Sequence, residues 1–201
     1  MKVLIASHNM GKVTEFKKIL NNLGFEFMTL NDFHEVEEPE ETGLTLNENS
    51  LIKAKYYFDL FKIPVIADDT GLFIEDLNGE PGIYTARYAD DELLLDTKLP
   101  KYQCVIKLLR NLDGVKNRNA MFKCCVTCMM PDGTYFQEFG ESNGVIAEEI
   151  IGKLNKPYLY SVFVLDNCDK AFSDLNSEEL KNTYRHIALK KVLSKFNDGC
   201  R

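Results

Sequence analysis

Apolar and polar positions follow one another in blocks that predict alternating strands and helices. Val3–Ala6 is a short apolar run typical of a buried strand, after which apolar residues recur at helical spacing until Gly24. A second strand is predicted from Phe25 to Leu30, and the acidic stretch Glu35–Glu41 has no periodicity, which indicates a loop. The first part of the chain therefore has the order strand, helix, strand, loop.

The next block predicts a capped helix followed by a strand that carries two acidic residues. Thr45 and Glu48 have the spacing of a capping box, and apolar residues follow at helical spacing. Pro64 closes this helix and opens an apolar run that ends at Asp68–Asp69. We therefore expect a strand with two carboxylates at its C-terminal end.

The remainder of the chain predicts two further helices, a hairpin and several turns. The helices are expected at Tyr102–Leu112 and Glu178–Phe196, the hairpin strands at Met121–Met130 and Tyr135–Phe139, further strands at Leu72–Ile74 and Gly144–Ile146, and turns at Asn78–Gly79 and Pro81–Gly82. With 201 residues, the chain is expected to form a single α/β domain spanning positions 1–201.

Composition and charge argue against several classes of protein. A composition that is 45% hydrophobic and 27% charged is that of an ordinary globular protein, and no stretch is apolar enough to span a bilayer. The formal charge of −7 argues against a nucleic-acid binder, which needs a basic surface. The start lacks the apolar core of a signal peptide, and six cysteines without a zinc pattern suit a reducing compartment. We expect a cytoplasmic protein without a membrane or nucleic-acid partner.

Asp68, Asp69 and Thr70 are the leading candidates for a functional site. Open α/β sheets bind ligands at the C-terminal ends of their strands, and adjacent carboxylates there offer the oxygen ligands that Mg²⁺ prefers. The alternative is a turn without function, because Asp and Gly favour turns for local reasons.

Three other segments carry residues that suit an anionic ligand. Ser7, His8, Asn9 and Lys12 lie in the first strand-to-helix loop, Asn49 and Lys53 lie one turn apart in the second helix, and Lys181, Arg185 and His186 lie near the start of the last helix. Backbone N–H groups at a helix start and lysine side chains can bind phosphate. Each segment also has a simpler interpretation: Asn9 as a local cap with Lys12 in solvent, a solvated helix face, and an exposed basic helix start.

Four motifs occur in a fixed order along the chain. They are Ser7, Asn9 and Lys12; Glu41 to Asn49, followed by Lys53-Ala54; Asp68 to Leu72; and Gly79 to Tyr88. Together they resemble the inosine triphosphate pyrophosphatase family, the noncanonical purine nucleoside triphosphate pyrophosphatases. The resemblance implies an elongated α/β fold with a central mixed sheet flanked by helices, two lobes with a cleft between them, and a homodimer.

The activity that the resemblance implies is Mg²⁺-dependent hydrolysis of ITP, dITP or XTP between the α and β phosphates. The products are the monophosphate and pyrophosphate, and the reaction cleanses the nucleotide pool. By the same resemblance, Glu41 and Asp69 help to hold Mg²⁺. Asp68 or Asp69 orients and deprotonates the attacking water. Lys12 and Lys53 bind the triphosphate.

The chain departs from the family in its C-terminal third. Pro157–Phe163 replaces Gly-Phe-Gly-Tyr-Asp-Pro-x-Phe, although Tyr158 can still stack on a base. The family's Ser-His-Arg has two possible counterparts, Thr183–Arg185 and Arg185–His186, depending on which neighbouring spacing is kept. Base recognition is therefore open. A nucleotide-binding protein without turnover and a pyrophosphatase with altered base preference are the alternative functions.

Overall fold

The computed structural model describes residues 2–20, 26–96, 98–100, 102–155 and 157–199. Within these ranges the helices are α1 (Met10–Leu20), α2 (Leu46–Phe61), α3 (Asp90–Leu95), α4 (Gln103–Asn111) and α5 (Tyr184–Gly199). The strands are β1 (Lys2–Ile5), β2 (Glu26–Thr29), β3 (Val65–Ile74), β4 (Pro81–Gly82), β5 (Asn119–Met129), β6 (Tyr135–Ile146) and β7 (Phe163–Leu165). The predicted α/β class is confirmed. None of the described helices is long and apolar enough to cross a membrane.

The described strands form one mixed sheet in the order β2-β1-β3-β5-β6-β7, with β4 paired to β3. β1 is parallel to both β2 and β3, whereas β4 is antiparallel to β3 and β7 is antiparallel to β6. Ile5 pairs with Thr29 on one side and with Ile66 on the other. Because β1 and β3 run in the same direction and Ile5 pairs with Ile66, the loop that follows β1 begins next to the residues of β3 that precede Asp68.

Two compact units can be distinguished within the chain. The first consists of Met1–Thr70, Cys124–Gly140 and Tyr184–Arg201, and the second consists of Gly71–Lys123 and Glu141–Thr183. The prediction of a single domain stays a prediction.

Each unit has its own apolar core. In the first unit the core residues come mainly from β1, β3 and α2: Leu4, Ala6, Leu30, Ala54, Tyr57, Val65, Ala67 and Met129. Cys124, Cys125 and Cys128 of β5 are fully buried, as expected for core thiols. In the second unit, Phe122 and Phe163 pack edge to face with ring centroids 4.9 Å apart.

Helix α2 begins and ends as its sequence predicts. The Thr45 side chain accepts a hydrogen bond from the Glu48 N–H over 3.3 Å and so caps the first turn. At the other end Lys62 adopts a left-handed conformation with φ of 55°, just before Pro64 stops the helix. The helix that carries Asn49 and Lys53 therefore has well-defined ends.

The predicted end of β3 at Asp69 is wrong. The strand runs without interruption from Val65 to Ile74, so the two acids lie in its interior rather than before a turn. The continuation pairs with β4 through Leu72 and Gly82, which makes Pro81–Gly82 a short strand instead of the predicted turn. A methyl group on Gly71 would lie 2.5 Å from Gly82 O, so this close pairing needs glycine.

The predicted start of the last helix is also wrong. Residues Glu179–Asn182 form a separate 3₁₀ turn, and Thr183 is extended with φ of −96° and ψ of 165°. Helix α5 therefore begins at Tyr184. Of the three basic candidates near this point, Arg185 and His186 lie in its first turn, whereas Lys181 precedes the helix.

Candidate functional site

Asp68 and Asp69 are neighbours in β3 and point to opposite faces of the strand, since side chains alternate along a strand. Both are buried, with 2% and 7% of their surface exposed. Thr70 lies on the Asp68 side, where its hydroxyl donates to Asp68 Oδ2 over 3.1 Å. The two adjacent acids therefore have separate surroundings.

Two cations meet the carboxylate of Asp68. Lys12 Nζ from α1 lies 2.9 Å from Asp68 Oδ2, and Arg185 Nε from α5 lies 3.3 Å from the same oxygen. Burial alone would raise the pKa of Asp68, but the positive charges of Lys12, Arg185 and Lys53 outweigh it and hold this pKa well below its usual range. Asp68 is a fixed anion that anchors two basic side chains.

Glu15 extends this cluster and was not among the residues predicted from the sequence. Its Oε2 accepts from Arg185 Nη1 over 2.5 Å, and its Oε1 lies 3.2 Å from His186 Nδ1. Burial raises the pKa of Glu15, but Arg185 and His186 outweigh that effect and lower it below its ordinary value. The one available signal was spacing: Glu15 follows Lys12 by three positions, which places both on one helix face.

The other face of β3 holds a second cluster around Asp69. Lys53 Nζ lies 2.8 Å from Glu41 Oε1 and 3.5 Å from Asp69 Oδ1. Burial and the neighbouring charge of Glu41 raise the pKa of Asp69, although Lys53 opposes them. Burial would lower the pKa of Lys53, but Asp69, Asp68 and Glu41 outweigh it and raise that pKa. Glu41, Lys53 and Asp69, all predicted from the sequence, are thus brought together.

The Asp69 cluster has the chemistry of a partial site for a divalent cation. Asp69 Oδ2 is buried and has no hydrogen-bond partner among the described residues. Burial, together with the nearby charge of Glu41, disfavours the charged form of Asp69 and raises its pKa, and a bound cation would favour that charged form. No group of three or more Asp, Glu, His or Cys side chains in the described part of the chain is placed to hold a metal alone. Two carboxylates nevertheless fit Mg²⁺, which usually completes its coordination with water and substrate phosphates.

The loop after β1 is organised by local hydrogen bonds. Asn9 Oδ1 accepts from the backbone N–H groups of Gly11 at 2.9 Å and Lys12 at 3.3 Å, and Ser7 Oγ accepts from Asn9 N at 3.2 Å. Asn9 thus caps the start of α1, while His8 is half-buried in the loop. The Lys12 side chain does not extend into solvent but reaches Asp68. Direct contact of Ser7, His8 or Asn9 with a phosphate stays a prediction.

Asn49 lies on the same helical face as Lys53 but is used differently. Its side chain is 1% exposed, and its Oδ1 accepts from the Gly43 N–H over 2.8 Å. Its Nδ2 is buried and has no hydrogen-bond partner among the described residues. Asn49 therefore joins α2 to the loop that carries Glu41, and its predicted contact with substrate is untested.

Tyr158 and Lys181 belong to the second unit. Tyr158 starts a 3₁₀ turn, Tyr158–Ser161, in which its carbonyl accepts from Ser161 Oγ over 2.7 Å. Lys181 Nζ lies 2.6 Å from Glu178 Oε1. The predicted roles of both residues in holding a base stay predictions.

Comparisons with known proteins find likeness along nearly the whole chain. The Ham1 family model matches residues 3–195. The dITP/XTP pyrophosphatase of Halalkalibacterium halodurans is 37% identical over 192 residues, which cover 94% of this chain and 95% of that protein. The dITP/XTP pyrophosphatase of Bacillus subtilis is 37% identical over 198 residues, which cover 95% of this chain and 94% of the relative.

Solved structures give the same result. The Ham1 protein of Staphylococcus aureus superposes with a TM-score of 0.82 at 30% identity, with both chains fully covered. A HAM1 protein from Coxiella burnetii superposes with a TM-score of 0.83 at 28% identity, covering 98% of this chain and 99% of that one. The residues around Asp68 and Asp69 all lie within the matched span.

Proposed function

The chain belongs to the Ham1 family, and from that premise we propose that it hydrolyses noncanonical purine nucleoside triphosphates such as ITP, dITP and XTP. The reaction breaks the bond between the α and β phosphates and yields the nucleoside monophosphate and pyrophosphate. Full-length likeness to dITP/XTP pyrophosphatases carries this assignment. The cluster of Glu41, Lys53 and Asp69 supplies the charged groups that the reaction needs.

Glu41 and Asp69 are the residues that we propose to hold Mg²⁺. They fit because they are two carboxylates that meet at one ammonium group, and because Asp69 Oδ2 has no partner among the described side chains. When bound there, Mg²⁺ screens the polyphosphate and stabilises the charge that develops on its oxygens.

Lys53 and Lys12 are proposed to bind the triphosphate. Each ammonium group is already held at a carboxylate of β3, Lys53 near Asp69 and Lys12 at Asp68, and each side chain is largely but not completely buried. This fixes two positive charges on either side of the paired acids. The same groups can donate to phosphate oxygens, and their fixed positions lower the entropic cost of binding the chain of phosphates.

Asp69, rather than Asp68, is proposed to orient the attacking water and accept its proton. Asp68 Oδ2 already meets Lys12, Arg185 and Thr70, and its lowered pKa makes it a poor proton acceptor. Asp69 Oδ2 has no hydrogen-bond partner in the part of the chain that the structure describes. Geometry thus favours one of the two acids that the sequence could not separate.

Arg185 and His186 are proposed to recognise the base. Glu15 contacts both side chains, and Asp68 also contacts Arg185 at Nε. By the family resemblance alone, Lys181 and Tyr158 are also proposed to bind substrate, Tyr158 by stacking on the base, a contact typically worth about 1–3 kcal/mol. Donors to a base carbonyl would favour hypoxanthine and xanthine over adenine, which carries an amine where they carry an oxygen.

One assay tests the proposal. Purified protein is incubated with Mg²⁺ and a panel of ITP, dITP, XTP, ATP and GTP, and pyrophosphate is measured separately from orthophosphate. Pyrophosphate from ITP, dITP or XTP is expected. Preferential release from ATP or GTP would indicate an altered base preference, orthophosphate alone would indicate cleavage at the γ phosphorus, and no product would leave only nucleotide binding.

Two further features belong to the proposal. The free cysteines of the described residues suit a reducing compartment such as the cytoplasm. A homodimer is proposed from the family resemblance, and light scattering coupled to size-exclusion chromatography tests it.

A further inference from the structure

The loop that carries Glu41 is attached to the first turn of α2 at two points. Asn49 Oδ1 accepts from the Gly43 N–H over 2.8 Å, and Glu48 Oε2 accepts from the Leu44 N–H over 2.7 Å. Gly43 follows Glu41 by only two residues. The backbone position of the loop is therefore set by side chains of the helix rather than by the loop itself.

The contact at Gly43 leaves no spare space. A methyl group on Gly43 would lie 2.6 Å from Asn49 Oδ1 and 2.7 Å from Glu48 Cβ. The loop backbone therefore packs directly on the Asn49 amide. A side chain at position 43 must therefore displace the loop backbone or the α2 atoms beneath it, whereas truncating Asn49 removes the acceptor of the Gly43 N–H.

The helical turn that holds the loop is itself fixed by a closed ring of hydrogen bonds. Gln137 Nε2 donates to Asn47 O at 2.8 Å and to Thr127 Oγ1 at 2.9 Å. The Thr127 hydroxyl lies 2.6 Å from Ser50 Oγ, and the Ser50 hydroxyl donates to Asn47 O at 3.2 Å. Because the single hydroxyl hydrogen of Ser50 is donated to Asn47 O, Ser50 accepts from the Thr127 hydroxyl, and Thr127 in turn accepts from Gln137 Nε2. The ring ties the turn of α2 to strands β5 and β6.

These contacts point away from a direct role for Asn49 in substrate binding. The side chain is 1% exposed, its oxygen is used by Gly43, and its Nδ2 lies inside the protein. Its neighbour on the same helical face, Lys53, has its ammonium group at Glu41. Asn49 thus holds the backbone of the loop, while Lys53 contacts the Glu41 carboxylate that the loop carries.

We propose that Asn49 is a positioning residue that sets the place of the Glu41 carboxylate for the divalent cation by holding the Gly43 backbone. The inference rests on the proposed function, since it assigns Glu41 to the metal. Residues that orient metal ligands typically change metal affinity about 10- to 100-fold when they are replaced.

Metal binding, measured apart from turnover, tests the proposal. Mn²⁺ is titrated into wild type and Asn49→Ala in the presence of the α,β-methylene analogue of ITP, which resists cleavage, and free Mn²⁺ is followed by electron paramagnetic resonance. The half-saturating Mn²⁺ concentration should rise about 10-fold or more in Asn49→Ala. At saturating Mg²⁺, the KM for ITP should stay within about 2-fold of wild type, because a positioning residue does not touch the nucleotide.

Two variants keep the test decisive. Gly43→Ala disturbs the same contact from the loop side and should weaken Mn²⁺ binding to a similar extent, so the result does not depend on whether Asn49→Ala folds well. Asn47→Ala, in the same helical turn, keeps its backbone carbonyl and serves as the control that leaves Mn²⁺ binding unchanged.

Three outcomes have distinct meanings. Unchanged Mn²⁺ binding in Asn49→Ala and Gly43→Ala, with pyrophosphate released by wild type, would overturn the positioning role. Unchanged Mn²⁺ binding with a raised KM for ITP would assign Asn49 to the substrate instead. Absence of pyrophosphate release by wild type would instead contradict the proposed function, which separates the two failures.

Discussion

The guanidinium group of Arg185 lies against the carboxylate of Asp68, with Nε 3.3 Å from Oδ2, and both side chains are at least 95% buried. A buried charge of this kind is tolerated because it has several partners: Lys12 also meets Asp68, and Glu15 also meets Arg185. The chain of alternating charges joins α1, β3 and α5. It makes the placement of one basic side chain depend on acids from two other elements.

Replacing Arg185 with methionine should therefore destabilise the fold. Removing one partner of a buried ion pair leaves the charge of the other partner uncompensated and typically costs about 3–5 kcal/mol. The free energy of unfolding is measured by urea denaturation near neutral pH. Arg110→Met is the matched control, because Arg110 pairs with Glu92 while its own side chain is 59% exposed, and its loss should cost less than about 1 kcal/mol. Equal costs for the two variants would contradict a buried network.

Asp69→Asn should remove turnover while leaving the fold intact. An amide is a poor ligand for Mg²⁺ and cannot accept a proton from water, so the rate of pyrophosphate release should fall by a factor of about 10² to 10⁴. Circular dichroism and the melting temperature monitor the fold. Asp59→Asn, an exposed acid on α2, is the control. A variant at Asp69 that keeps the wild-type rate would refute its assignment.

The stability contributed by Glu15 should depend on pH with a defined sign. Its pKa in the folded protein is below the ordinary value of 4.5, so the charged form is favoured by folding. The contribution is therefore complete above that ordinary value and is lost as the pH falls through the lowered pKa of the folded state.

This sign is measurable by comparing wild type with Glu15→Gln in denaturant titrations from about pH 7 down to about pH 3. Wild type should be the more stable protein near neutrality, and the difference should shrink on acidification. A difference that grows toward low pH would mean that Glu15 gains no stabilisation from Arg185 and His186.

Removal of divalent cations should abolish pyrophosphate release. The cluster of Glu41 and Asp69 offers only two carboxylates, so the metal is expected to bind weakly and exchangeably. EDTA should stop the reaction, and added Mg²⁺ should restore it fully. Ca²⁺ at the same concentration is the control, since its larger size and looser coordination suit this reaction less well. Undiminished release in EDTA would rule out the proposed metal role.

Local sequence patterns predicted an element well where the signals for its ends lie within that element. The helical period of α2 and the Thr45–Glu48 cap fixed that helix closely, because both signals lie within one segment. The Asp-Asp-Thr-Gly segment also looks like a turn when taken alone. Its continuation as a strand depends on pairing between Leu72 and Gly82, a contact that no local propensity contains.

The sequence predicted acids and lysines of the site but not the network of ion pairs that connects them. Glu41, Lys53 and Asp69 were found through an ordered set of motifs, and the structure brings them together. Glu15 was missed because its spacing from Lys12 is the same as that of many solvated charged pairs on a helix surface. Its value comes from Arg185, which lies far away in the sequence and reaches it only in the folded chain.

The alternation of side chains along β3 makes this strand a partition between two chemistries. Asp68, on one face, is already paired with Lys12 and Arg185. Asp69, on the other face, has a carboxylate oxygen that has no hydrogen-bond partner among the described residues and that a ligand can use. Inserting or deleting a single residue between Ile66 and Asp68 would exchange the two environments and leave each acid facing the wrong partners. Two aspartates side by side are therefore insufficient: the strand must also present them in the correct phase.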